Sequence, residues 1–145
     1  MKKVRIILYV LLLASLFFVP LQRIEIANME PVQAVWLYQE DGNVVLETDT
    51  EDKGIGTTVE EALTDMKENS PGIIYLDTAE FLFVSTSAQK QIPSVQAYLK
   101  ETVRLCQWNG QGSISEAVKY ADAHKIGLKM KKWGPGSNLP ELPSL

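Results

Sequence analysis

Hydrophobic positions are spread unevenly along this chain. From Ile6 to Leu21 the sequence reads IILYVLLLASLFFVPL, sixteen residues without a charge. As a helix rising 1.5 Å per residue, this run is about 24 Å long. A bilayer core is roughly 30 Å thick, so the run spans one if Val4 joins it and Arg5 snorkels. Lys2, Lys3 and Arg5 precede it and Arg23 follows. That asymmetry predicts a cytoplasmic N-terminus and an outward-facing remainder. The residues expected in the membrane are Ile6, Ile7, Leu8, Tyr9, Val10, Leu11, Leu12, Leu13, Leu16, Phe17, Phe18 and Val19. Pro20 stands where such a helix can stop. Phe17, Phe18 and Val19 crowd the zone where a small-residue cleavage site would lie, which favours an uncleaved signal anchor over a removed signal peptide. No Cys lies near the run to take a lipid.

Beyond the run the pattern changes to that of a folded domain. Residues 32–39 (VQAVWLYQ) and 44–49 (VVLETD) flank Asp41-Gly42-Asn43 and predict a β-hairpin. A flexible loop is expected through Lys53-Gly54-Ile55-Gly56. Thr58 with Glu61 three residues on is a capping box, and Val59, Ala62, Leu63 and Met66 give one apolar helical face. Asn69-Ser70-Pro71-Gly72 stops that helix. Ile73–Leu76 and Phe81–Val84 predict two short strands. A second helix is expected from Pro93 through Val95, Tyr98, Leu99 and Val103, with Thr102–Trp108 open to either helix or strand. Ser113 and Glu116 mark a third helix, with Ile114, Ala117, Val118 and Ala121 on its apolar face. Leu128–Trp133 is a candidate last strand. The divisions expected are an anchor and short linker (1–29), an α+β domain (30–133) and a disordered Pro-rich tail (134–145). The fold class expected is α+β, a small mixed or antiparallel sheet with helices on one face, after an N-terminal transmembrane helix.

Charge narrows the function. The 145 residues carry a formal charge of -4. Residues 1–21 hold three of the 14 basic residues and no acidic one, leaving 11 basic against 18 acidic beyond them, a formal charge of -7. Such a domain is not expected to bind nucleic acid. With one Cys and one His, no metal site, cofactor or disulfide framework is expected. The acidic stretch Glu40–Asp52 lacks EF-hand spacing and reads as a solvated hairpin and loop. Cys106 reads as a small buried hydrophobe, with a reactive or dimer-forming thiol as the alternative. Gly54-Ile55-Gly56-Thr57-Thr58 lacks the Lys-Ser/Thr of a P-loop and the third Gly of a dinucleotide fingerprint. His124 is expected at a helix end. Asp65, Asp77 and Glu80 show no spacing that demands acid–base work. Trp36, Trp108 and Trp133 read as core or interface anchors. Tyr75, Phe81 and Phe83 are a candidate partner surface if one sheet face is uncovered, and otherwise core.

The stretch Gly54–Val84, with Thr58, Glu61, Ala62 and Leu63 in a T-x-x-E-A-L-like helix and Tyr75 and Phe81–Val84 in strands, resembles the N-terminal domain of the bacterial Ger(x)C spore-germination lipoproteins. The resemblance covers Val32–Ala121 and includes the hairpin, Val103–Trp108, Gly112 and Ser113–Val118. It implies that Thr102–Trp108 is a strand. It also implies a non-enzymatic subunit, anchored as a single pass in the cell membrane or the spore membrane, which contacts other membrane or envelope proteins through an extracytoplasmic domain. The alternatives are a small-ligand-binding module, anchored or secreted by cleavage, and a hydrolase using Asp77, Glu80 or His124. Oligomeric state is not encoded in any feature of the pattern.

Overall fold

The computed structural model describes the backbone of residues 2–27 and 29–143, and side-chain environments for 2–16 and 31–143. Helix α1 is Lys2–Ala27. It is followed by β1 (Met29–Pro31), β2 (Ala34–Glu40), β3 (Asn43–Thr48), β4 (Lys53–Gly56), α2 (Val59–Asn69), β5 (Ile73–Tyr75), β6 (Phe81–Val84), α3 (Ile92–Gln96), β7 (Arg104–Gln107), α4 (Ile114–Ala123) and β8 (Leu128–Lys129). Six strands form one mixed sheet in the order β4-β3-β2-β6-β7-β8, and β1 pairs with β5 in a separate two-stranded sheet.

The hairpin forms where Asp-Gly permits it. Asp41 and Gly42 both take positive φ, 52° and 79°, the backbone a two-residue primed turn requires. Its register pairs Leu37 with Leu46 and Tyr38 with Val45. β2 runs parallel to β6, and β6 parallel to β7. α2 lies in the connection to β6 and α3 in the connection to β7. Both pack on the sheet face carrying Val35, Leu37, Leu46, Leu82, Val84 and Leu105. α4 covers the opposite face, setting Ala117, Val118 and Ala121 against Phe81, Phe83, Cys106 and Trp108.

The class is α+β as expected, but helices lie on both faces rather than one. The cause is β6, whose four residues FLFV are all buried. A strand apolar on both sides needs cover on both sides.

The expected flexible loop at residues 53–56 is instead the edge strand β4, paired with β3. Its glycines let α2 approach. A Cβ at Gly54 would meet the Ala62 carbonyl and stand 2.6 Å from the Met66 Cβ, and one at Gly56 would stand 2.6 Å from the Ala62 nitrogen. The second helix ends at Gln96, short of Val103, and residues 104–107 are strand.

The tail expected to be disordered holds a docked stretch. Gln107 N–H donates to the Pro140 carbonyl at 2.7 Å, and Leu142 N–H to the Gln107 carbonyl at 2.9 Å. Leu142 is buried in the α4-side core. Two prolines keep the segment extended, and its leucine finds apolar cover beside β7.

Among the described residues no helix is long and apolar enough to cross a membrane. Ile6–Leu13 and Leu16 of α1 are all exposed along the helix. Phe17, Phe18 and Val19 belong to the expected anchor, but their side chains lie outside the described residues.

Candidate functional site

Alternation along β2 sends Ala34, Trp36 and Tyr38 to the α4 side of the sheet. α4 lies over Ala34 at the start of β2 and over β6 and β7, so this face is more open toward the end of β2 and the β3–β4 edge. Trp36 and Tyr38 are half-buried there. Their rings stack at 4.0 Å between centroids, 26° from parallel. Trp108 tilts against Trp36 at 4.9 Å, and Trp36 Nε1 donates to the Trp108 carbonyl at 3.3 Å. Gly110, with φ of +87°, lies against the six-membered ring of the indole. A Cβ there would come within 2.5 Å of Trp36 Cζ2. The indole is thereby fixed in place while part of its surface meets water.

On one side of this pair is a cleft of about 330 Å³. It runs between Trp36 and Trp108, the β3–β4 turn, and the start of α4 at Gly112–Ser115. The acidic stretch read as a solvated hairpin and loop does form the hairpin, and its loop part is an ordered turn. Asp49 Oδ1 accepts from the Gln33 and Ala34 backbone N–H groups at 2.9 and 3.1 Å. Asp52 is buried, its Oδ2 accepting from Thr50 Oγ1 at 2.8 Å. These carboxylates hold backbone and hydroxyl groups. Among the described residues no group of three or more His, Cys, Asp or Glu is placed to hold a metal ion.

On the other side is a hollow of about 530 Å³ lined by Gln39, Glu40, Ser85, Ser87 and Asn109. It lies at the carboxyl ends of the parallel strands β2 and β6, where open α/β sheets commonly receive ligands. Asn109 Oδ1 accepts from Thr86 N–H at 3.0 Å. Gln107 Nε2 donates to Thr86 Oγ1, and Gln89 Nε2 to Gln107 Oε1. These bonds tie the loops after β6 and β7 together. Trp36 and Lys53 line both spaces, which makes them two halves of one groove.

Three polar groups fix the rim. Tyr38 OH donates to Glu47 Oε1 at 3.2 Å, and Lys53 Nζ lies 3.6 Å from the same oxygen. Burial, and then the Glu47 charge, push the Tyr38 hydroxyl above its usual pKa. Its contact with Tyr38 raises Lys53 in turn. The phenol stays neutral and the ammonium charged across the physiological range.

Phe81 and Phe83, two of the three candidate partner-surface residues, are fully buried and cannot meet a partner. They stack on each other at 5.8 Å, and α4 lies over them. Tyr75, the third, is 39% exposed. His124 caps the end of α4, its Nδ1 lying 3.0 Å from the Tyr120 carbonyl and its ring stacked on Tyr120. Asp65 Oδ2 accepts from Ile55 N–H at 2.9 Å, tying α2 to the edge strand. Asp77 is exposed, and Glu80 Oε2 accepts from Gln33 Nε2. Among the described residues no hydrogen bond joins Asp77, Glu80 and His124. The glycines before α2 serve helix packing. The Glu61 carboxylate occupies the helix start, accepting from Thr57 N–H at 2.9 Å.

The groove was not legible as a site. Trp36 reads as an anchor residue and Tyr38 as one more strand position. The usable signal was the register: Trp36 and Tyr38 share a face with Glu47 and Lys53, so that face of the hairpin is amphipathic. Comparison with protein-family models, curated proteins and solved structures finds no match to this chain.

Proposed function

We propose that this chain is a membrane-anchored extracytoplasmic domain that works by binding another envelope protein, with the groove along Trp36 and Tyr38 as its recognition surface. The observation that carries the binding role is the stacked, half-exposed Trp36–Tyr38 pair. Phe81, Phe83 and Trp108 beside it are buried. Rigid aromatic pairs left against water are the kind of surface that protein partners cover. The uncharged run of residues 6–21 behind Lys2, Lys3 and Arg5 supports the anchor and its orientation. The Ger(x)C-like stretch supports the finer proposal, a non-enzymatic subunit of a germination receptor in the spore membrane.

The 330 Å³ cleft beside Trp108 favours a second reading, a small-ligand-binding module. One experiment separates the two. A photo-crosslinking amino acid replaces Tyr38 in the full chain in native membranes, with Lys119, exposed on α4, as the control position. Protein recognition predicts a discrete higher-mass adduct from position 38 and none from 119. No adduct from 38, together with a ligand-specific rise in melting temperature, would replace the proposal with the second reading.

A further inference from the structure

The loop after β7 carries Asn109-Gly110, the one Asn-Gly pair in the chain. Asn109 is exposed and lines the hollow beside Tyr38. Its Oδ1 accepts from Thr86 N–H at 3.0 Å and from Thr86 Oγ1 at 3.3 Å. A backbone N–H only donates, so the side-chain atom facing it is the amide oxygen. Among the described residues, neither Asn109 Nδ2 nor the Gly110 N–H donates a hydrogen bond to the protein.

These are the parts of an intramolecular acyl transfer. The side-chain Cγ of Asn109 is the electrophile, and both Thr86 donors face the oxygen that takes up charge when Cγ is attacked. The nucleophile is the Gly110 backbone nitrogen, whose own residue has no Cβ to crowd the approach. That nitrogen loses its proton to water and bonds to Cγ, closing a cyclic imide. Nδ2 takes up a proton and leaves as ammonia. Water then opens the imide. Cleavage of the new bond to Cγ leaves aspartate, and cleavage of the main-chain bond leaves isoaspartate. Nothing is oxidised or reduced, and water is the only co-reactant.

The other asparagines among the described residues lack one part or another. Asn69 precedes Ser70, and its Nδ2 is held by the Asp65 carbonyl and carboxylate at 2.9 Å. Asn43 precedes the β-branched Val44 within β3, and Asn138 precedes Leu139. We propose that Asn109-Gly110 is a self-modifying site, which converts to aspartate and isoaspartate in the folded chain and thereby loosens the hold on Trp36. The place gives the change its effect. Gly110 packs so closely that a Cβ would stand 2.4 Å from Trp36 Cη2. Isoaspartate adds a backbone carbon beside that contact, and either product sets a new carboxylate at the hollow. The chemistry does not depend on what the groove binds.

The test is peptide mass spectrometry on the full chain, aged in detergent micelles at physiological temperature in heavy-oxygen water. Digestion follows in ordinary water, so only conversion during ageing carries the heavy oxygen. Tryptic cleavage after Arg104 and Lys119 yields residues 105–119, in which Asn109 is the one asparagine. Isoaspartyl methyltransferase labelling separates the two products. The expected result is conversion of native Asn109 severalfold faster than of Asn43, Asn69 or Asn138, with isoaspartate among the products. Conversion at 109 no faster than at those positions, or seen only in urea-unfolded chain, would overturn the site. Acrylamide quenching of tryptophan fluorescence reads the effect on the groove. The aged chain should quench more steeply than the fresh one, and aged Asn109→Gln no more steeply than fresh Asn109→Gln. Unchanged quenching in a chain largely converted to isoaspartate would overturn the effect on Trp36.

Discussion

Cys106 is the chain's single thiol, and its surroundings decide its chemistry. It sits fully buried between β7 and α4, with Sγ 3.7 Å from the Ile126 carbonyl. Burial pushes its pKa from 9.0 to about 12, against a weaker opposing pull from Arg104. The thiol is therefore inert near neutrality. A thiol reagent at pH 8 should label the denatured chain fully and the native chain hardly at all. Rapid native labelling would contradict the burial. Because the folded pKa is raised, the thiol's contribution is complete below pH 9 and is lost as pH rises toward 12. At about 1.4 kcal/mol per pH unit, the loss is on the order of 4 kcal/mol. Denaturant melts of Cys106→Ala should show a flatter alkaline limb. Its buried-hydrophobe role was legible from sequence, because a lone Cys in an apolar stretch is usually one. Gly54 was not legible. Its role is to leave room for the α2 backbone, a demand set by a partner that local pattern does not name. Gly54→Ala should cost 2 kcal/mol or more, on the order of an overpacked core position. Gly134→Ala, with nothing within 4 Å, should be near neutral by the same melts.

Helix α2 and its start were fully legible, since caps and apolar periodicity are local. Thr58 accepts from Glu61 N–H at 3.2 Å, while the Glu61 side chain reaches one residue further back than a standard capping box, to Thr57 N–H and its hydroxyl. Thr58→Ala should cost about 1 kcal/mol, read from denaturant midpoints. The Thr57 hydrogen bonds lower the Glu61 pKa below 4.5. Its contribution is thus present above pH 4.5 and lost as pH falls through the lower folded value. Glu61→Gln should remove that part of the acid limb and leave the melting temperature at pH 7 otherwise little changed. β7 was ambiguous because a short apolar run fits helix or strand alike. It becomes a strand because β6 offers a parallel partner with register Phe83–Cys106, which no local signal contains. The docked tail was missed for a similar reason: proline content speaks against regular structure, not against a leucine finding a core. Leu142→Ala should destabilise by about 2–5 kcal/mol if its site does not collapse.

The architecture joins an apolar N-terminal helix to a domain with helices on both faces of a six-stranded sheet. A recognition groove is proposed at one end of that sheet. The central claim is that the apolar run stays on the chain and holds the domain outside the membrane. Fractionation tests it most directly. The chain is expressed from its native locus with a C-terminal tag, and membranes are extracted with alkaline carbonate. Vegetative membranes, dormant-spore membranes and medium are then probed by immunoblot. The account predicts full-length protein in the carbonate-resistant membrane pellet, with the tag degraded by protease added outside the cytoplasmic membrane, and enrichment in spore membranes if the germination role holds. A shortened form in the medium, or full-length protein released by carbonate, would contradict it.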